Sequence, residues 1–96
     1  VKGVGLPDFA SSALSISIYP NPTSGIVKID FSSLDAMPKQ IELKVMDLQG
    51  RVLVKETPRD KVNTLDISQL PEGVYLFEML LDGSIFVKKI LKHPVI

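Results

Sequence analysis

Cysteine is absent from this 96-residue chain. Disulfides, thiolate metal sites and cysteine nucleophiles are excluded with it. The compartment is not fixed by that absence, because exported bacterial proteins also lack cysteine. Histidine is nearly absent. The single one, His93, stands beside Pro94 close to the end of the sequence, with no metal-ligating or catalytic companion near it. Net charge is missing as well: 11 basic residues balance 11 acidic ones, and the pI is near 6.8. That balance gives no electrostatic footprint for nucleic acid or for an anionic membrane. No apolar run reaches the ~20 residues that a helix needs to cross a bilayer. Residues 1–13 lack the apolar stretch of about 7–15 residues that marks a secretory signal, so export would require an entry signal on a longer precursor. Aromatics are few, four phenylalanines and two tyrosines.

The signatures of catalysis are missing too. There is no G-x-S-x-G, no glycine-rich phosphate loop and no dense acidic alternation of a calcium loop. Asp47, Asp66 and Asp82 fall where turns or strand ends need them. A paired-carboxylate hydrolase would require a cleft that a domain of this size has little material to build. The expectation is a non-enzyme with no cofactor and no metal.

What the chain does contain is apolar alternation. Hydrophobic residues make up 45% of it, too many for a disordered tail, and the length suits one domain. Residues 1–13, broken by Gly3, Gly5, Pro7, Ser11 and Ser12, read as a linker, and residues 14–96 as the domain. Leu14, Ile16 and Ile18 alternate with Ser15, Ser17 and Tyr19, which predicts a strand with one buried face. Pro20-Asn21-Pro22 ends it, and Thr23-Ser24-Gly25 supplies turn chemistry. Further strands are expected around Val27–Phe31, Ile41–Val45 and residues 51–56, with Asp47-Leu48-Gln49-Gly50 as a tight hairpin turn. In the return strand Val52 and Val54 are expected to face inward, with Leu53 leaving the register ambiguous. Residues 57–63 read as a loop, Leu65 and Ile67 as a short strand, and residues 74–81 as the most apolar and central strand. Asp82-Gly83 is a two-residue hairpin signal before a last strand over residues 84–92. About seven short strands at this spacing predict an all-β, immunoglobulin-like antiparallel β-sandwich in two sheets.

Lys88, Lys89 and Lys92 read as a basic patch. It either guards an edge strand against aggregation or serves recognition. Tyr19 and Tyr75 read as sandwich residues with a packed ring and a satisfied hydroxyl, against a competing role in sugar or peptide contact.

Three stretches in series carry a family resemblance. They are Tyr19-Pro20-Asn21-Pro22-Thr23-Ser24-Gly25; Asp47-Leu48-Gln49-Gly50-Arg51-Val52; and Leu70-Pro71-Glu72-Gly73-Val74-Tyr75, continuing through Gly83 to Lys88-Lys89-Ile90-Leu91-Lys92. In this order and spacing the chain resembles, over about residues 14–92, the C-terminal sorting domain of the type IX (Por) secretion system of Bacteroidetes. The resemblance implies that the domain ends a larger cargo protein, passes through the periplasm and directs the cargo across the outer membrane to the cell surface or beyond. It implies as partners the outer-membrane translocon and its shuttle proteins, the N-terminal cargo domain, and a sortase-like cysteine protease cutting in or beside residues 1–13. The motif positions carried over are Pro20, Asn21, Pro22, Gly25, Asp47, Gly50, Arg51, Gly73, Tyr75, Gly83, Lys88 and Lys89. Prolines and glycines among them set turns, while Arg51 and the lysines are the better candidates for contact with the machinery. One departure is the tail His93-Pro94-Val95-Ile96, since family members stop soon after the lysine-bearing strand and Pro94 would end pairing. The alternative reading is an accessory module that binds carbohydrate or protein, or a structural spacer, on the same sandwich.

Overall fold

The computed structural model describes residues 16–93. Leu14, the linker and Pro94 therefore lie outside the described residues. Seven strands follow in chain order: β1 Ser17–Tyr19, β2 Ile26–Asp30, β3 Ile41–Met46, β4 Val52–Glu56, β5 Val62–Asp66, β6 Gly73–Leu81 and β7 Ser84–Lys92. They form a three-stranded sheet in the order β1-β2-β5 and a four-stranded sheet in the order β4-β3-β6-β7. Every strand pair is antiparallel.

The core follows from period-two alternation. Ile18, Val27, Ile29 and Leu65 point inward from the first sheet, and Leu43, Val45, Phe77, Met79 and Ile90 meet them from the second. Phe31 and Phe77 are the largest side chains fully removed from water. Burial of a side chain of this size is worth about 1.5–3 kcal/mol, so the inward rows hold the layers together. Apolar β6 lies between β3 and β7, as its composition predicts.

Asp82 and Gly83 close the β6–β7 hairpin at φ 49° and 88°, the left-handed pair that a two-residue turn of this kind requires. Gln40 braces it: its N–H donates to the Asp82 carboxylate at 2.9 Å, and its carbonyl accepts the Asp82 N–H at 2.9 Å.

Two details differ from the alternation. Val52 is not inward-facing but 46% exposed, and Leu53 is 39% exposed. The β3–β4 register explains this: Val45 pairs with Val54 but Met46 pairs with Val52, so Leu53 is an extra residue. Such a bulge inverts the facing of everything beyond it, and Val52 turns outward beside Met46. Only Val54 packs, in part, against the core. Strand β5 also starts earlier than its apolar residues suggest, because Val62 and Asn63 pair with Asp30 and Ile29. Backbone pairing carries the strand across a polar stretch that reads as loop.

Candidate functional site

After β1 the chain leaves the first sheet at Pro20 and crosses to the outer edge of β7 in the second. Asn21 acts there as a short strand made from a side chain. Its Nδ2 donates to the Lys89 carbonyl at 3.0 Å, and its Oδ1 accepts the Leu91 N–H at 3.0 Å. Thr23 continues with its backbone: its N–H donates to the Leu91 carbonyl at 2.9 Å, and its carbonyl accepts the His93 N–H at 2.9 Å. The first and third motifs, 68–70 residues apart for the Asn21 bonds, are thus one hydrogen-bonded latch.

Thr23, which reads in the sequence only as a turn residue, secures the latch from within. It is 1% exposed. Its Oγ1 donates to the Ile26 carbonyl at 2.8 Å and accepts the Gly25 N–H at 3.1 Å, so no buried hydroxyl is left unpaired. Gly25 is needed for two reasons. Its φ is 154°, and a Cβ there would stand 2.9 Å from the Cβ of Ser68. Its carbonyl accepts the Ile67 N–H at 2.7 Å, which ties the latch to the segment leading into the third motif.

The second motif is a self-bracing turn. Asp47 Oδ1 accepts the N–H groups of Gln49 and Arg51 at 2.9 and 3.0 Å, and Oδ2 accepts Arg51 Nε at 2.7 Å. Gly50 supplies the left-handed residue at φ 87°. Partial burial pushes the Asp47 carboxyl up. The Arg51 backbone and side-chain hydrogen bonds, the Gln49 N–H and the Arg51 charge together outweigh it, holding the carboxyl below its ordinary value. The Arg51 side chain remains 77% exposed, so the rest of its guanidinium faces water.

In the third motif Tyr75 is a fold residue. It is buried, and its hydroxyl donates to the Pro71 carbonyl four residues upstream, a tyrosine-corner arrangement. Tyr19 is partly exposed with its hydroxyl turned to Asp30 at 3.4 Å. One tyrosine is in each sheet, and they form no shared aromatic platform. A cleft of about 440 Å³ lies elsewhere, against Ile29, Leu43 and residues 56–65. No group of three or more potential metal ligands occurs among the described residues.

Register decides which motif residues gather. Gly73 pairs with Lys92 at one end of the β6–β7 hairpin, and Leu81 with Ser84 at the other. Met46 pairs with Leu76, which brings the Asp47–Arg51 turn to the Gly73 end. Pro20, Asn21, Pro22, Gly25, Asp47, Gly50, Arg51, Gly73 and Tyr75 therefore share one end of the sandwich with the last residues of β7. Gly83 lies at the opposite end, one nine-residue strand away, or about 30 Å. The lysines do not make a single patch. Lys89 projects outward, Lys88 is half-buried on the other face, and Lys92 is 8% exposed.

A family model described as the secretion system C-terminal sorting domain matches residues 17–93, from the first residue of β1 to the His93 that closes the latch. The chain belongs to the C-terminal sorting domains of type IX secretion. No curated protein matches it significantly. The sorting domain is thus a secretion signal of the kind used by Bacteroidetes, and its family is defined by export and not by catalysis. The match covers all seven strands.

Proposed function

We propose that the folded sandwich is itself the export address and that the latched end is the surface the machinery reads. The latch carries this reading. Asn21 and Lys89–Leu91 meet only after folding, so no linear segment can present that surface. The exposed Arg51 guanidinium, fixed through Nε by Asp47, supplies a charge at the same end, and shape plus charge is what a receptor can discriminate.

In the cell the domain follows a cargo protein to its C-terminus, is taken up by shuttle proteins and crosses the outer membrane through the type IX translocon. A sortase-like cysteine protease then cuts in or beside residues 1–13, and the cargo is attached to the surface or released. A reporter fused ahead of the 96-residue chain, in a bacterium with type IX machinery, is expected to reach the medium or the cell surface. Gly50→Val, which puts a β-branched residue at φ 87°, is expected to misfold the turn and hold the reporter in the periplasm. Undiminished export of an unfolded variant would refute the reading.

A further inference from the structure

Among the described residues, Lys92 is the one charged side chain that the sandwich buries. It ends β7 on the inward row, two residues beyond Ile90, and is 8% exposed. Gly73 of β6 pairs with it on one side, and Thr23 of the latch bridges to it on the other. Neither neighbour engages its ammonium. Gly73 has no side chain, and a Cβ there would meet no atom within 4 Å. The Thr23 hydroxyl is taken by the Ile26 carbonyl and the Gly25 N–H. Among the described residues no carboxylate pairs with the Lys92 ammonium and no group accepts a hydrogen bond from it. Glu72, next to Gly73, is exposed and forms no ion pair with it. Residues 94–96 bring no acidic side chain. Every buried side-chain nitrogen and oxygen of the described residues has a partner, so this unpaired ammonium stands at the surface with its stem inside.

A residue needed only to plug the end of the core would do better without a charge, because methionine fills a similar space and asks for no hydration. The buried stem has a second consequence. A free surface lysine such as Lys89 loses rotamer freedom when it meets an anion, a loss on the order of tenfold in affinity. Lys92 has given up that freedom on folding, held between Gly73 and Thr23. Its charge is aimed and unspent. The anion that suits it carries a single charge. The N–H groups of Thr23 and His93 are taken by the Leu91 and Thr23 carbonyls, so the latch leaves no cradle of amides for a phosphate. A carboxylate is matched by one ammonium.

We propose that Lys92 is the anchor of the latched end, a stem-fixed ammonium that takes the carboxylate of an acidic side chain on the export machinery. This rests on the sorting reading and names a contact within it. The latch builds the anchor, because Thr23 stands against Lys92 only once the first motif has docked on β7.

Lys92→Met tests it in the reporter fusion carrying the full 96-residue chain. Methionine keeps the packed stem and removes the charge, so the urea midpoint of the isolated chain is expected to equal or exceed that of wild type. Export is expected to fall about tenfold, the scale of losing one pre-positioned charge contact. Lys89→Met, at a mobile lysine, is expected to change export less than twofold. Should Lys92→Met misfold, Lys92→Gln keeps a polar tip without the charge and answers the same question. Wild-type fusion that is not exported would remove the sorting reading itself. Wild-type export with equal export of a folded Lys92→Met or Lys92→Gln chain would overturn the anchor alone. Two further measurements bear on the occupant. Midpoint shifts of Lys92→Met and Glu72→Gln should add in the double variant, and coupling between them would show that the charge is spent within the domain and overturn the proposal. The isolated chain should not bind phosphatidylglycerol vesicles, and binding that is lost in Lys92→Met would assign the charge to lipid and overturn it as well.

Discussion

The two halves of the four-stranded sheet's outer face differ in kind. Away from the bulge that turns Val52 outward, the face over β4, β3 and part of β6 is charged: Lys44 lies 3.9 Å from Glu42 and 4.0 Å from Glu78, and Lys55 lies 4.0 Å from Glu42. Over β7 Ile85, Val87 and Leu91 stand in water, with Lys89 between the last two. The two edges differ in the same way. Strand β4 has five residues, carries a bulge and bears Lys55, which are three common ways of discouraging an added strand. Strand β7 has nine residues in unbroken register, and among the described residues the latch bonds to its C-terminal part alone. One edge is closed by its own irregularity and the other is closed in part by a loop from the opposite sheet.

The largest expected effect strikes the latch at its root. Gly25→Val forces a side chain into Ser68 and is expected to cost about 2–4 kcal/mol, read as a lowered urea midpoint. Asn21→Ala removes both side-chain bonds to β7 and is expected to cost ~1–2 kcal/mol. Amide exchange then separates the edges: Leu91 should lose protection while Val54 in β4 keeps its own. Equal loss at both would mean that the latch supports the whole sheet and not one edge.

Acid gives a smaller effect. The Asp30 carboxyl is held below its ordinary value by the Ser32 hydroxyl and then the Ser32 N–H, with burial opposing and Tyr19 assisting. The Asp66 carboxyl is lowered by Ser68 in the same manner. Asp47 is lowered too, the Arg51 and Gln49 contacts outweighing burial. Each folded pKa lies below its unfolded value. The stabilisation is therefore full above the unfolded carboxylate pKa of about 4 and is lost as pH falls through the folded values. Thermal midpoints should stay level with pH above that range and decline below it, and Asp47→Asn should shallow the decline. The smallest effect belongs to the bulge. Val52→Thr, on the outward side, should change stability by less than ~0.5 kcal/mol in denaturant titration, whereas an inward Val52 would cost more.

Strands and hairpins were legible in the sequence because alternation and turn residues are local. Ile41, Leu43 and Val45 announce an inward row, and Asp82-Gly83 a turn, without reference to anything distant. The facing of Val52 was not legible, because a bulge inserts one residue without any change in composition. The latch was not legible either. The first motif reads as a stiff corner, yet nothing local in Asn21 tells that its amide completes a strand edge some 70 residues on. The burial of Thr23 and Lys92 was hidden for the same reason: both lie in the contact between the first motif and the last strand. The membership of the family was visible from motif order, while the part of β7 that the latch takes required the structure.

The most direct test compares the folded fraction with export across the latch variants. Asn21→Ala, Gly25→Val and the wild-type chain are each carried on the same reporter, with folded fraction taken from urea titration of the isolated chains. Export that falls in step with folded fraction is the predicted result. Export at the wild-type level from a Gly25→Val chain that is unfolded in solution would contradict the account.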